Sequence, residues 1–549
     1  MKAVATYQKL RGGYYTPKPI ADFLAAWAIQ SPHSEVLEPS CGDGMVLAAA
    51  VEVLIKKAAD KPAVANHLIH GVEIDPQEAL KAAGRIHDLG VTTSPVQIHI
   101  GDFFAYCKER LDNEHFFDAV IGNPPFIRYQ NFLEEHRAIA FYIMRQAGLH
   151  PTRLTNAWVP FLVASTLLLK KHGRIAMVIP AELLQVDYAA ELRYFLSNYY
   201  SNITLITFKK LVFDGIQQEI VLLLGERNGN THTGIRTIEF EGMEALSSYS
   251  HSDLSASELK PMDHSAEKWT RYFLDKEEIE LLRTIRAHPG LVTAGHVIDV
   301  DVGIVTGLNE FFVLTEQQVK AQALESYTQR IVGRSGHLSG VIFSDEDWKA
   351  NVVKQHPAFL LRSPEVPFDM LPGPVKEYVT SGEQKEMNKG YKCRIRKHWY
   401  VVPSVWTPQA FMLRQVHNYP KIIINEADAT CTDTIHRVKL LNGVKASTIA
   451  AAFLNSLTFA FAEVTGRSYG GGVLELEPRE AEKLPIPLRG AEALDIRQIN
   501  MMLQSGKIED LLNITDKLLL RDSLGLTDAE IKMLREIWKK LRDRRINRK

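Results

Sequence analysis

The sequence predicts an α/β fold: a Rossmann-like, mostly parallel sheet with helices on both faces, followed by a mixed α+β region and a helical C-terminal tail. Three observations predict it. Between residues 36 and 224 short apolar runs alternate with helix-length segments. Glycine-bearing or acidic turns follow several of those runs, at the strand ends where ligands bind in such sheets. After Gly242 the composition shifts toward Ser, His and Asp, and the alternation stops.

Taken in order, Val36-Leu37 is a short strand before a glycine turn, and residues 45–57 read as a helix. Residues 68–74, 96–100 and 116–121 are the next strands. Residues 157–171 read as one apolar helix leading into a strand at 174–180, and two more strands are expected at 203–208 and 220–224. Residues 1–241 thus form one domain, 242–268 a connector, 269–490 a second domain and 491–549 a helical basic extension. The second domain is expected to carry a strand at 421–425 and a helix at 446–463.

A chain of 549 residues suits two to four domains, and 46% hydrophobic with 23% charged residues is the balance of a globular protein. The four cysteines, Cys41, Cys107, Cys393 and Cys431, are scattered, with no Cys-x-x-Cys pair and no His cluster at metal spacing. Neither a disulfide framework nor a metal is expected, and a reducing cytoplasm is the natural setting. The N-terminus lacks the apolar core of a signal peptide, and no apolar run reaches membrane-spanning length, so no membrane partner is expected. The net charge of -1 is silent on nucleic acid. Residues 532–549, however, hold nine Lys or Arg and two acidic residues. That tail reads either as a phosphate-neutralising arm or as a solvated basic helix end.

Four stretches carry chemistry. Glu38-Pro39-Ser40-Cys41-Gly42-Asp43-Gly44 is a glycine turn between strand and helix, where backbone can approach a ligand. Neither phosphate-binding glycine pattern occurs, which favours a ligand without a pyrophosphate. In Gly71-Val72-Glu73-Ile74-Asp75, an acid at a strand end can accept both hydroxyls of a ribose. In Gly101-Asp102-Phe103-Phe104, Asp102 can accept from an adenine amine and Phe103 can lie on that ring.

The fourth stretch, Asn123-Pro124-Pro125-Phe126, ends a strand. Consecutive prolines stiffen the backbone. The Asn123 side-chain oxygen and the Pro124 carbonyl can then accept both hydrogens of an amino group. A ring-conjugated amine is a poor nucleophile, and two fixed acceptors favour its pyramidal, more reactive form. Phe126 offers a face to a planar base.

The order of these motifs resembles the gamma class of DNA adenine amino-methyltransferases, the group that includes the TaqI methylase. Tyr15-Thr16-Pro17 resembles the family's N-terminal motif, whose threonine borders the methionine part of the cofactor. Glu38 to Gly44 resembles the first cofactor motif, with Glu for Asp, Ser for Ala and Asp for Ser as departures. Glu73 with Ile74 matches the ribose-binding segment, Asp102 and Phe103 the adenine-binding pair, and Asn123 to Phe126 the catalytic tetrapeptide. Val212-Phe213 resembles a later motif whose aromatic sandwiches the target base. Gly303 to Glu310, Leu454-Asn455-Ser456 and Leu484-Pro485-Ile486-Pro487 resemble segments of the family's recognition domain, so the similarity runs from Gly12 to Pro487.

The resemblance implies a class I methyltransferase fold with S-adenosylmethionine as cofactor and duplex DNA as partner. It also implies a prokaryotic, nucleoid-associated setting, and either a separate cognate restriction endonuclease as a second partner or an orphan methylase without one. The target adenine must be extruded, at a cost of a few kcal/mol, and stacking between Phe126 and Phe213 would return roughly 1–3 kcal/mol per contact. Candidates for DNA contact in the second domain are Arg394, Arg396, Lys397, Arg467 and Tyr469, through base edges or phosphates. Three alternatives stay open: an RNA adenine as substrate, a protein glutamine amide, or a non-catalytic cofactor-binding specificity subunit. A fused nuclease is not expected: 345–349, with its three acids and a lysine, reads as a surface loop.

Overall fold

The computed structural model describes residues 14–58, 68–89, 96–213, 219–227, 233–249, 254, 256–265, 267–469 and 471–548. Gly12 and Lys549, which the sequence reading touched, lie outside them. The chain divides into two compact units, residues 1–276 with 547–549, and residues 277–546.

In the first unit eight strands among the described residues form one sheet: β1 (Val36–Glu38), β2 (Ile69–Glu73), β3 (Val96–Ile100), β4 (Phe117–Gly122), β5 (Leu169–Pro180), β6 (Asn202–Phe208), β7 (Ile220–Glu226) and β8 (Gly234–Phe240). Their order is β3-β2-β1-β4-β5-β7-β6-β8. Strands β1 to β5 run parallel. β7 is antiparallel to both β5 and β6, and β8 is parallel to β6. Strands β1, β6 and β7 are buried almost throughout, as expected for central strands covered on both faces, whereas edge strand β3 is largely exposed. Helices Lys18–Ala28 and Met45–Ala58 supply one cover, and Ile20, Leu24, Leu47 and Leu54 are fully buried in the core they share with β1 and β4.

Strand order reverses at β1, with β2 on one side and β4 on the other. The turns leaving the carboxyl ends of these strands meet at that switch point, where open α/β sheets place their ligands. The glycine turn and the Asn-Pro-Pro-Phe segment are two of these turns.

Several elements differ from the sequence reading. The helix expected over 157–171 is Trp158–Leu167, and β5 already begins at Leu169. Phe117 donates its N–H to the Leu168 carbonyl, and His172 adopts φ +73°, so the chain leaves the helix to join β4. The helix expected over 446–463 is two helices, Ala446–Ala452 and Ser456–Thr465, bent by 77°. Asn455 makes the break: its Nδ2 donates to the Ala452 carbonyl at 2.7 Å, and its Oδ1 accepts from Thr458 N at 2.9 Å. Residues 345–349 are no loop but the first turns of helix Asp345–Val353, capped by Ser344. Strand β8 had no counterpart in the reading.

The second unit holds a five-stranded sheet of Ile298–Val302, Ile435–Leu440, Ala410–Leu413, Ile422–Asn425 and Ile342–Phe343, in that order, and smaller sheets beside it. Its last helix, Asp528–Ile546, buries Ile531, Leu534, Ile537, Trp538 and Leu541. Among the described residues no single helix is long and apolar enough to cross a membrane.

Candidate active site

The turn after β1 separates its two glycines by role. Both take positive φ, +51° at Gly42 and +80° at Gly44. A Cβ on Gly44 would lie 2.7 Å from the Ala82 Cα, so this glycine lets helix Pro76–His87 pack against the turn. A Cβ on Gly42 would meet nothing within 4 Å, so this is the glycine that leaves room for a ligand.

Glu73 holds the turn in place. Its Oε2 accepts from Gly42 N at 2.8 Å and its Oε1 from Asp75 N at 2.9 Å. Burial pushes its pKa up, against the pull of those two amides. Asp43 is bound by the Arg85 guanidinium at 2.6 Å. Cys41 is buried, and its thiol is driven up by that burial and by Glu38 and Glu73.

Glu38 is only 2% exposed, and its Oε2 has no hydrogen-bond partner among the described residues. Burial raises its pKa well above the carboxylate range, the charges of Asp43 and Glu73 add to the rise, and the Leu47 amide opposes it. Glu38, Thr16, Ser40, Gly42 and Asn123 line one small cavity. Tyr15 and Cys41 line it too, while the Tyr15 hydroxyl donates to Glu78 at 3.0 Å.

Asp102 caps helix Phe103–Asp112 through Oδ1, which accepts from Ala105 N at 2.9 Å. Its Oδ2 lies 2.9 Å from His136 Nδ1, on helix Glu134–Gln146. Phe103 is buried, with its ring stacked on Phe161 at 5.0 Å and 16°. Ile74 is half exposed. The sequence reading missed His136 and Phe161, because both lie far along the chain from the motif they complete.

Asn123 follows β4, and its Nδ2 donates to the Tyr14 carbonyl at 3.0 Å. Its own backbone carbonyl accepts from Ser40 Oγ at 3.3 Å. Neither Asn123 Oδ1 nor the Pro124 carbonyl has a donor among the described residues. The Tyr14 ring packs against both predicted stacking aromatics, 6.4 Å from Phe126 and 5.9 Å from Phe213. Phe213 is buried at 8% exposure and Phe126 is half-buried. One corner therefore holds two unclaimed acceptors and an aromatic cluster. That is the equipment for receiving a planar ring with an amino group.

In the second unit a cavity of about 790 Å³ is lined by Arg362, Lys392, Ile395, Lys397 and His398, among others. Lys392 and Lys397 make no ion pair among the described residues, and Arg394 is exposed beside them. Two expected DNA contacts are otherwise engaged. Arg396 donates through Nη2 to the carbonyls of Val305 and Thr306, at 3.0 and 2.7 Å, stapling the Gly303 to Glu310 segment. Arg467 donates to buried Glu480 at 2.8 Å. Tyr469 ends strand Arg467–Tyr469.

The basic tail is neutralised at most of its described positions. Arg535 binds Asp516 at 2.8 Å, Lys539 binds Glu509 at 2.9 Å and Lys540 binds Glu278 at 2.8 Å. Arg545 is 2% exposed and makes a two-pronged pair with buried Glu463, at 2.8 and 2.9 Å. The helix is thus held by its charges rather than offering all of them to a polyanion.

Residues 1–280 match the family model described as N-6 DNA Methylase. Residues 266–520 match that of the C-terminal domain of the type II methyltransferase M.Eco57I. The chain is 22% identical over 504 residues to the type II methyltransferase M.AccI of Acinetobacter calcoaceticus. It is 24% identical over 490 residues to M.XamI of Xanthomonas campestris pv. amaranthicola. Each alignment covers 87% of this chain and 85% of the relative. Among solved structures, the type IIL restriction-modification enzyme MmeI, in complex with DNA, superposes with a TM-score of 0.56 at 10% identity, over 96% of this chain and 75% of that one. The type IIG restriction endonuclease BpuSI gives a TM-score of 0.42 at 14% identity, and the chain spans 66% of its length, just under two thirds. The N-6 DNA methylase model covers more than half of the sequence, and the chain belongs to that family.

Proposed function

We propose that this chain transfers a methyl group from S-adenosylmethionine to the N6 amine of an adenine extruded from duplex DNA, as the modification activity of a restriction-modification system. Membership of the N-6 DNA methylase family supports the reaction class, and the M.AccI and M.XamI relatives support the system. The observation that carries the reading is the unclaimed pair of acceptors, Asn123 Oδ1 and the Pro124 carbonyl, at the carboxyl end of β4.

The residues present fit the cofactor. The orphan Glu38 oxygen is a buried polar atom in want of a partner, and Gly42 leaves open space beside it. Glu38, Thr16 and Ser40 would hold the methionine end. Glu73, through the free lone pairs of its two oxygens, would hold the ribose. Asp102 would hold the adenine, with Phe103 and Ile74 beside it. When bound, S-adenosylmethionine supplies an electrophilic methyl on a sulfonium.

The chain's own part is then orientation. Asn123 Oδ1 and the Pro124 carbonyl accept the two amino hydrogens and aim the nitrogen lone pair at the methyl. Phe126 and Phe213 hold the ring, and Pro124-Pro125 keeps the corner rigid. Direct transfer needs no covalent intermediate, and positioning supplies most of the acceleration. In the second unit, Arg394, Lys392 and Lys397 would contact the DNA around the cavity they border.

The reading is tested by incubating the purified chain with duplex DNA and labelled cofactor, then identifying the modified nucleoside by mass spectrometry. N6-methyladenine in DNA is the expected product. Label appearing only in RNA or protein, or no transfer by the isolated chain, refutes the proposal.

A further inference from the structure

Glu38 combines three properties that do not ordinarily coexist. It is 2% exposed, one of its oxygens has no partner among the described residues, and it lines the cavity that Asn123 shares. Among the described residues the charged groups that act on it are acids. Asp43 stands in the glycine turn and Glu73 at the end of β2, and both disfavour a charge on Glu38. The Cys41 thiol is itself pushed up by burial and stays neutral. Tyr14 and Tyr15 line the same cavity. From helix Met45–Ala58 the backbone amide of Leu47 reaches the carboxyl, and on β4 a Cβ at Gly122 would lie 3.4 Å from the Glu38 Cγ. The nearby cation, Arg85, is spent on Asp43. A lone carboxylate in that setting is costly, so Glu38 keeps its proton well above the usual range.

We propose that Glu38 is the residue that distinguishes the charged cofactor from its uncharged product, being protonated in the free protein and releasing its proton when a sulfonium cation enters the cavity. This rests on the reading that the cavity takes the methionine end of S-adenosylmethionine. The charge balance is explicit. On binding, a neutral carboxyl and a sulfonium become a carboxylate–sulfonium pair and one proton goes to solvent. Methyl transfer leaves a neutral thioether and frees one proton from the amine. Glu38, no longer facing a sulfonium but still facing Asp43 and Glu73, takes up one proton. Over the cycle Glu38 is unchanged and one proton per methyl reaches solvent. Without the carboxylate–sulfonium pair the product, S-adenosylhomocysteine, is held less tightly than the substrate.

The test is calorimetric titration of the full chain with S-adenosylmethionine and, separately, S-adenosylhomocysteine. It is run from pH 5.5 to 8 in two buffers of different ionisation enthalpy. The amino and carboxyl groups common to both ligands cancel in the comparison. Extra proton release with the sulfonium ligand is expected, with its affinity rising relative to the thioether by up to about tenfold per pH unit below the Glu38 pKa. Glu38→Gln copies the neutral acid in shape, so the fold should persist, as its melting midpoint would report. In that variant the extra proton and the pH dependence should vanish, and the preference for the sulfonium ligand should fall by about tenfold or more. Equal proton release with both ligands, or linkage unchanged in Glu38→Gln, overturns the proposal. Failure of either ligand to bind the wild-type chain overturns instead the cofactor reading beneath it.

Discussion

The side chain of Asn123 donates to the backbone carbonyl of Tyr14 at 3.0 Å, across 109 positions of sequence. A carbonyl can only accept, so the contact fixes which end of the amide points where. Nδ2 faces Tyr14, and Oδ1 is left as an acceptor. A flipped amide would place two acceptors face to face.

Asn123→Ala removes one of the two acceptors but leaves the turn after β1 intact. Turnover should fall by about 10²-fold to 10³-fold or more. Cofactor affinity should change only severalfold. Single-turnover methylation set against equilibrium cofactor binding checks the separation.

Phe126→Ala should weaken retention of the extruded base by roughly 1–3 kcal/mol. Fluorescence of 2-aminopurine at the target position reports the extruded base, and cofactor binding should stay close to wild type. Tyr14, which packs against both Phe126 and Phe213, must make way for that base. Tyr14→Ala should therefore cost less base retention than Phe126→Ala in the same assay.

Lys392→Ala and Lys397→Ala should each lower the salt dependence of DNA binding, reducing the slope of log K against log salt by about 1. Arg467→Ala should instead lower thermal stability and leave that slope unchanged, because its guanidinium is bound to Glu480. Binding isotherms at several salt concentrations distinguish the two outcomes.

Arg545→Ala leaves Glu463 buried without its partner, and burial already biases that carboxyl upward. A loss of about 3–5 kcal/mol is expected for breaking a buried pair from one side. Denaturant unfolding of the full chain measures it.

At the amino ends of the strands, Glu35 accepts from His70 at 3.2 Å and from His115 at 2.5 Å. Burial alone would raise the Glu35 pKa, but these hydrogen bonds outweigh it and hold it at about 2, against an ordinary 4.5. A folded-state value below the unfolded one gives stability that is present above about pH 4.5 and lost as pH falls toward 2. Denaturation midpoints between pH 6 and 2.5 should therefore fall more steeply for wild type than for Glu35→Gln.

The catalytic corner was legible because its chemistry is local. Proline rigidity, the strand before it and the carbonyl it frees all lie within residues 117–126. Short apolar runs between helix-length segments likewise located β1 to β7, most plainly β6 and β7, where burial on both faces leaves nearly unbroken apolar runs. The pattern misled where one polar side chain intervened. Residues 446–463 look predominantly apolar, yet Asn455 can claim both the carbonyl behind it and the amide ahead, and one helix becomes two.

By itself the sequence determined the alternating α/β architecture, the turns at the strand ends and the identity of the proline-braced acceptors, because each follows from neighbours a few residues apart. Only the tertiary structure decided which way the Asn123 amide faces, that Gly42 and not Gly44 leaves open space, that Arg396 and Arg467 are engaged within the protein while Lys392 and Lys397 are not, and that most cations of the last helix are already paired. Those outcomes depend on partners tens to hundreds of positions away, and the electrostatic state of a side chain is set by whatever the fold brings beside it.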